Sequence, residues 1–452
     1  MKRARTLGPL AFFLGALAPM VAHAGAESDP KLKFEKYTLP NGIEVILHQD
    51  NRVPLVTVNV WYHVGSGDEV PGKSGFAHLF EHMMFQGTEH TGEDMHFQIL
   101  EQIGASDTNG TTNTDRTNYF EQVPSNQLET ALWLESERMG YLLPQVNEKS
   151  LANQRDVVRN ERRQRYDNVP YGQLRFTVSS ALYQEGHPYR YLTIGRHEEL
   201  ESASLEDVRG FYKKWYVPAN STVCIAGDFE SAEAKKLVEK WFGNFPKSTK
   251  PARKTVEPVK LTSKKRLETT DPLAPLTRVQ YAWNTPGGYK DGDADLDLLA
   301  NVLGSETGRL YKILVLEKQL AQGVAVFQGS QMMSSIFTVT ADLVPGADQA
   351  EVEKIINEEI AKVIKEPISK KEFDRALTFY EAAFIRGLED LGARADILQT
   401  YNQALGTPDG VTTDLDRYRK SSPEKIRDIA AKYLQEQSRV EVVVKPAPKE
   451  GK

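Results

Sequence analysis

The sequence predicts an α+β chain built from two similar halves. Its 452 residues are too many for one ordinary hydrophobic core. Strand and helix signals fall in separate runs instead of alternating one for one, which favours α+β over a doubly wound parallel sheet. A stretch dense in Pro and Lys, 244–262, interrupts the apolar periodicity. After it the order restarts: strands, helix, strands, long helices, final strand.

The first half opens with β-rich runs at 36–39, 43–48 and 56–64, with Pro40-Asn41-Gly42 as a turn between the first two. A helix is expected over 74–85, stopped by Gly87. The Thr-, Asn- and Tyr-rich segment 108–123 reads as one or two strands. Helices follow at 127–142, 147–166 and 205–215, a strand at 221–226, and a helix at 230–242. Cys224 lies in that strand and reads as small core packing. The second half repeats the pattern, with strands at 277–283, 337–343 and 439–444 and helices at 293–303, 308–319, 348–364 and 369–388. The segment between the halves reads as an exposed linker rather than a basic binding patch.

Lys2, Arg3 and Arg5, the apolar run 7–17 and Ala22-His23-Ala24 have the layout of a cleaved secretory signal. Gly8, Gly15 and Pro19 argue against a retained anchor. The expected layout is a signal peptide at 1–24, a first domain at 25–245, a linker at 246–262 and a second domain at 263–452. A periplasmic or secreted location follows from that signal, with no membrane association after cleavage.

Composition narrows the rest. Hydrophobic residues make up 40% and charged residues 26%, which is globular. Mean hydropathy is −0.48, which excludes a polytopic membrane protein. The formal charge of −6 gives no reason to expect a nucleic-acid partner. With one cysteine, neither an intrachain disulfide nor a multi-cysteine metal site is available.

The chemistry sits in His78-Leu79-Phe80-Glu81-His82. On a helix, His78 and His82 share a face and can reach one metal ion. Glu81 lies beside that face and can hold a proton as a general base without being a ligand. Chance gives on the order of 0.01 such H-x-x-E-H matches in a chain this long. Zinc needs a third protein ligand. Leu151, Gln154, Val158 and Glu161 form one inward helical stripe, and a carboxylate ending such a stripe is costly to bury unpaired. Glu161 is therefore a candidate ligand. An ion pair with Arg162 or Arg165 would also explain it, and Glu137 competes for the ligand role.

These residues resemble the pitrilysin family of zinc peptidases, peptidase family M16, which includes insulin-degrading enzyme and the mitochondrial processing peptidase. The resemblance spans nearly the whole chain after residue 24. It is strongest in Asn41-Gly42, the segment from His78 to His82, Gly104-Ala105-Ser106 and Val157-Val158-Arg159-Asn160-Glu161-Arg162. It implies two α+β domains, each an antiparallel sheet packed with helices, that close around a chamber. It implies one Zn2+ per chain, held by His78, His82 and Glu161, with Glu81 as base. It further implies that an unfolded peptide adds as a strand beside the metal, along Asn109, Gly110 and Thr111, where Gly110 lets the substrate backbone approach.

Three departures stand out. Gln154 replaces a glutamate that many members carry seven residues before the ligand. Leu316 stands where active members place a substrate-gripping arginine, and the expected tyrosine falls on Gln322 or Gly323. The second half has Asp295-Leu296-Asp297-Leu298-Leu299 where a metal motif would lie. The expectation is a zinc metalloendopeptidase that cuts oligopeptides or unfolded segments. It would be the zinc-bearing subunit of a two-component enzyme, with a second M16-like chain supplying the arginine–tyrosine pair. A homodimer using Arg309 or Tyr311 is the other assembly. A non-catalytic assembly subunit or a slow peptide-binding chaperone are the competing functions.

Overall fold

A computed structural model describes residues 29–448 except 257 and 260. The expected signal peptide, 1–24, lies outside the described residues. Among those described, no helix is long and apolar enough to cross a membrane.

Eleven strands form two sheets among the described residues. The first contains β1 (Glu35–Thr38), β2 (Glu44–Gln49), β3 (Leu55–Tyr62), β4 (Ser106–Thr112), β5 (Thr117–Pro124) and β6 (Ser221–Gly227), in the order β1-β2-β6-β3-β5-β4. The second contains β7 (Lys265–Asp271), β8 (Arg278–Thr285), β9 (Ala321–Gly329), β10 (Ser335–Leu343) and β11 (Arg439–Pro446), in the order β7-β11-β8-β10-β9. Without β1 the two orders match strand for strand, so the restart of the pattern after the linker is a repeat of topology. Every pairing is antiparallel except β2 with β6 and β7 with β11. The reason is geometric. The last strand of each half inserts next to an earlier strand and its antiparallel successor, so it must run parallel to one of them.

The pleat of each sheet serves two cores. In the first, Val45, Leu47, Val223 and Ile225 face one side with Leu79, Phe80 and Leu132. Ile46, Cys224 and Ala226 face the other and pack on Leu391, Ala395 and Leu398 of the helix Leu391–Leu405. That helix belongs to the second half. Conversely, Ala282, Val440, Val442 and Val444 of the second sheet are covered by Leu174, Val178 and Leu182, which belong to a first-half helix, Leu174–Leu182. The two covering helices hold equivalent places in the repeat, so each half lends its helix to the other's sheet. Polar contacts seal the exchange: Gln399 Nε2 donates to the carbonyls of Asn59 and Thr222 at 2.9 and 3.0 Å, and Arg394 pairs with Asp50 at 2.9 Å.

The helices that matter for the site are α1 (Phe76–Met83), α2 (Met95–Gln102), α3 (Leu128–Gly140) and α4 (Glu148–Arg162). The expected helix over 308–319 is only a short turn, Arg309–Tyr311, followed by a wider π-helical turn, Lys312–Glu317. The segment 246–262 has no strand or helix among its described residues, but it is not a free linker. Arg253 forks onto Asp68, with Nη2–Oδ2 at 2.6 Å and Nε–Oδ1 at 3.0 Å, and Lys254 donates to the Glu69 carbonyl at 2.8 Å. The Asp68 side chain is fully buried, so it requires a cation beside it.

Candidate active site

Helix α1 is held at its start. The Glu69 carboxylate accepts from the backbone N–H groups of Gly75 (3.1 Å) and Ala77 (2.8 Å), two of the donors a helix N-terminus leaves open. Gly75 has φ +88°, and a Cβ there would lie 2.8 Å from the Gly195 Cα, so only glycine fits. Leu79, Phe80 and Met83 are buried against the first sheet, which fixes the rotation of α1 and turns His78 and His82 outward. Helix α4 starts from an Asn147 cap whose Oδ1 accepts from Lys149 and Ser150 N–H, while Ser150 Oγ accepts from Asn147 N–H. Its Leu151, Gln154 and Val158 are buried, and the same stripe brings Glu161 to α1.

His78 Nε2, His82 Nε2 and Glu161 Oε2 converge. The two nitrogens are 3.3 Å apart, and the Glu161 oxygen is 3.2 Å from His82 and 3.5 Å from His78. Two ligands of a tetrahedral ion with bonds of about 2.0–2.1 Å lie about 3.3–3.4 Å apart. The triangle therefore fits three corners around zinc, and the N/N/O donor set suits it. The three side chains are 12%, 23% and 16% exposed, so the site opens to solvent on one side. Burial lowers the His78 imidazole to about 4, helped by neighbouring His82 and opposed by Glu161, which keeps it neutral and able to ligate. His78 Nδ1 is buried without a hydrogen-bond partner among the described residues, and Gln154 is a buried amide on α4.

The Glu161 carboxylate faces two ways. Oε2 faces the histidines, while Oε1 pairs with Arg165 Nη1 at 3.0 Å. Glu137 is elsewhere: it accepts from Thr88 Oγ1 at 2.7 Å and contacts His90 Nδ1 at 3.0 Å. Glu81 lies beside the triangle, 8% exposed. Burial raises its carboxyl above the usual range, against the lowering effects of Thr112 and His82. Thr112 Oγ1 donates to Glu81 Oε2 at 2.5 Å.

Asn109, Gly110 and Thr111 lie on β4, the edge of the first sheet, paired only with β5. Gly110 serves the inner face. A Cβ there would meet Glu81 Cγ at 3.1 Å, Tyr119 Cδ1 at 3.1 Å and Phe85 Cε2 at 3.2 Å. Its missing side chain makes room for α1, a different reason from the substrate approach expected from the resemblance. Sequence reasoning did not foresee the roles of Thr112 and Glu69. The first had a signal, because period two puts Thr112 on the Gly110 face; the second had none.

Two other polar clusters explain where metal would not bind. His96, Glu121 and Glu135 form a second compact donor group, but Arg138 stands among them, 3.1 Å from Glu135 and hydrogen-bonded to His96. In the second half the helix Asp293–Gly304 takes the place of α1. There Arg417 lies 3.1 Å from Asp293 and 3.4 Å from Asp414, so an internal guanidinium supplies the positive charge.

A duplicated α+β chain with such a donor triangle beside a sheet edge has the architecture of a metallopeptidase. Comparison with known families agrees. The model of Insulinase (Peptidase family M16) matches residues 44–192, and that of the Peptidase M16 inactive domain matches residues 202–380. The chain belongs to peptidase family M16. It is 29% identical to the zinc protease PqqE of Helicobacter pylori, over 92% of this chain and 93% of that protein. It is 26% identical to the uncharacterized zinc protease YmxG of Bacillus subtilis, over 80% and 86%. The crystal structure of a protease from Helicobacter pylori superimposes with a TM-score of 0.85 at 28% identity, covering 92% of this chain and 99% of that one.

Proposed function

We propose that this chain is a zinc metalloendopeptidase acting on oligopeptides or unfolded polypeptide segments. The observation that carries the reading is the triangle of His78 Nε2, His82 Nε2 and Glu161 Oε2, whose sides match the corner spacing of a tetrahedral ion. His78, His82 and Glu161 would hold one Zn2+, which when bound polarises a carbonyl and makes water more acidic. The protein's own groups do the rest. Glu81, buried and raised in pKa, takes a proton from the attacking water and passes it to the leaving amine. Thr112 fixes one carboxylate oxygen, leaving the other for that proton. The open edge of β4 at Asn109, Gly110 and Thr111 supplies backbone donors and acceptors for an extended peptide, which binds it independently of most side chains.

The reading includes a partner. Leu316 is 58% exposed, and Gln322 lies at the start of β9, so neither position offers an arginine or tyrosine. Arg309 is not a free substitute, because Glu372 binds it through two bonds of 2.6 and 2.8 Å. A second M16-like chain supplying the pair fits better than a homodimer using Arg309. The N-terminal signal pattern supports a periplasmic or secreted site of action. The alternative, a non-catalytic or weakly active assembly or peptide-binding subunit, is favoured by the same absent pair.

The deciding experiment measures zinc content and turnover of a quenched peptide for the wild type and Glu81→Gln, alone and with a candidate partner. Retained zinc with cleavage lost in the variant supports the proposal. Equal turnover in both proteins removes Glu81 as the base, and absence of zinc under every loading condition removes the enzyme.

A further inference from the structure

Next to the site, a cavity of about 530 Å³ lies between the two halves. Thr112 and Asn113, at the end of the β4 edge, form one wall, and Gln280, Phe327 and Thr338 of the second sheet form the opposite one. It is continuous with a second cavity of about 700 Å³ through shared walls at Tyr166, Arg175, Gln280 and Phe327. A peptide strand lying on β4 and passing Thr112 therefore runs into this space.

Of the charges that line the two cavities, most are paired or held by neutral donors, and one guanidinium is left open to solvent. Asp342 is bound by Arg278 through two bonds of 2.6 and 2.9 Å. Asp115 is buried and accepts from Tyr189 OH and from the Met332 N–H. Arg165 pairs with Glu161, a candidate metal ligand. Arg175 is exposed, lines both cavities and has no ion-pair partner among the described residues. The second-sheet wall offers Gln280, Thr338 and Thr340, which are neutral hydrogen-bonding groups, and no further acid beyond the paired Asp342. The space between the halves thus has mixed polar and apolar walls, with an exposed guanidinium, Arg175, where the two cavities meet and a buried carboxylate, Asp115, hydrogen-bonded by neutral groups in the wall of one of them.

We infer that this cleft selects peptides carrying an acidic side chain a few residues from the scissile bond, with Arg175 as the specificity-determining residue. The inference rests on the peptidase reading above and adds the substrate class. An extended strand advances about 3.3 Å per residue, so a carboxylate roughly two to four residues from the Gly110 position can reach the cleft. Arg175 offers it a planar donor fork, with nearby threonine hydroxyls as secondary donors. The exposed Phe327 ring, which lines both cavities, provides an apolar surface for the adjoining side chain.

The test uses the full chain with Glu81→Gln, loaded with zinc, so that binding is read without cleavage. Labelled peptides of one sequence carry Glu, Gln or Lys at each of four positions on either side of the cleavage point, and affinity is measured by fluorescence anisotropy. Glu at one position should bind roughly tenfold more tightly than Gln there, as expected for a charged hydrogen bond. Adding Arg175→Gln should bring the ratio close to one, and Arg175→Glu should make the Lys peptide the tighter ligand. A Glu preference that survives both substitutions, or no Glu preference in the protein with Arg175 intact, overturns the inference while leaving the peptidase reading standing. Failure of every peptide to bind, together with no cleavage by the wild type, overturns both.

Discussion

Gly110 and Glu81 pack so closely that a Cβ on the first would lie 3.1 Å from Cγ of the second, tight enough that one of them must shift by a few tenths of an ångström. The Glu81 side chain and the sheet edge are thus set against each other by one missing methyl group. Gly110→Ala should displace Glu81 or push β4 outward. Turnover should fall roughly tenfold or more, since small misplacements at reacting atoms are costly. Zinc content, measured by atomic absorption, should stay unchanged. Full activity would show that the contact is not tight.

Glu161 joins the donor triangle with His78 and His82 to Arg165 through its two oxygens. Glu161→Gln should lose most bound zinc at a given chelator concentration, whereas Glu81→Gln should keep it and lose cleavage by roughly 10²–10⁴-fold. A chelator titration followed by metal analysis separates the two. Equal zinc retention in both variants would mean that Glu161 is not a ligand.

Asp297 is half-buried in the second half and accepts from Tyr418 OH at 2.9 Å. Desolvation, aided by Asp293 and Asp414 and opposed by Tyr418 and Arg417, raises its carboxyl to about 6. The folded value exceeds the unfolded one. The neutral acid therefore adds stability that is complete below about 4 and lost as pH rises through about 6. Asp297→Asn keeps an acceptor without the charge. It should be more stable than the wild type at pH 7–8, by up to roughly 2–3 kcal/mol, with the gap closing by pH 4. Urea melts at several pH values would show this, and a pH-independent difference would refute it.

Leu398 crosses from the second half to pack against Ile46, Cys224 and Ala226. Leu398→Ala should cost roughly 2–5 kcal/mol. Cys224 gives a direct probe, since it is fully buried and burial raises its thiol well above the usual range. It should resist a thiol reagent in the native chain and react faster in Leu398→Ala. Rapid labelling of the wild type would mean that this contact opens readily.

The α+β class, the duplication and the donor helix were legible because each rests on local periodicity. His78 and His82 are one helical turn apart, and Leu151 to Glu161 is one stripe. Boundaries shifted where caps decided them, so that α1 starts at Phe76 rather than at 74. Strand β9, Ala321–Gly329, was missed because its Gln and Gly residues and exposed pattern lack an apolar alternation. The helix Leu391–Leu405 also escaped notice: it is apolar on one face for a partner sheet distant in the chain. Long-range pairings such as Arg253 with Asp68 leave no mark in local sequence.

The crossed helices also fix the order in which the polypeptide can be completed during synthesis. The first sheet has all its strands once Gly227 has been made, yet its Ile46–Cys224–Ala226 side stays bare until Leu405 leaves the ribosome. Over that interval the nascent chain carries an uncovered greasy plane, the moment at which it most needs a chaperone. Once both helices have docked, neither sheet can swing away from the other without undressing itself.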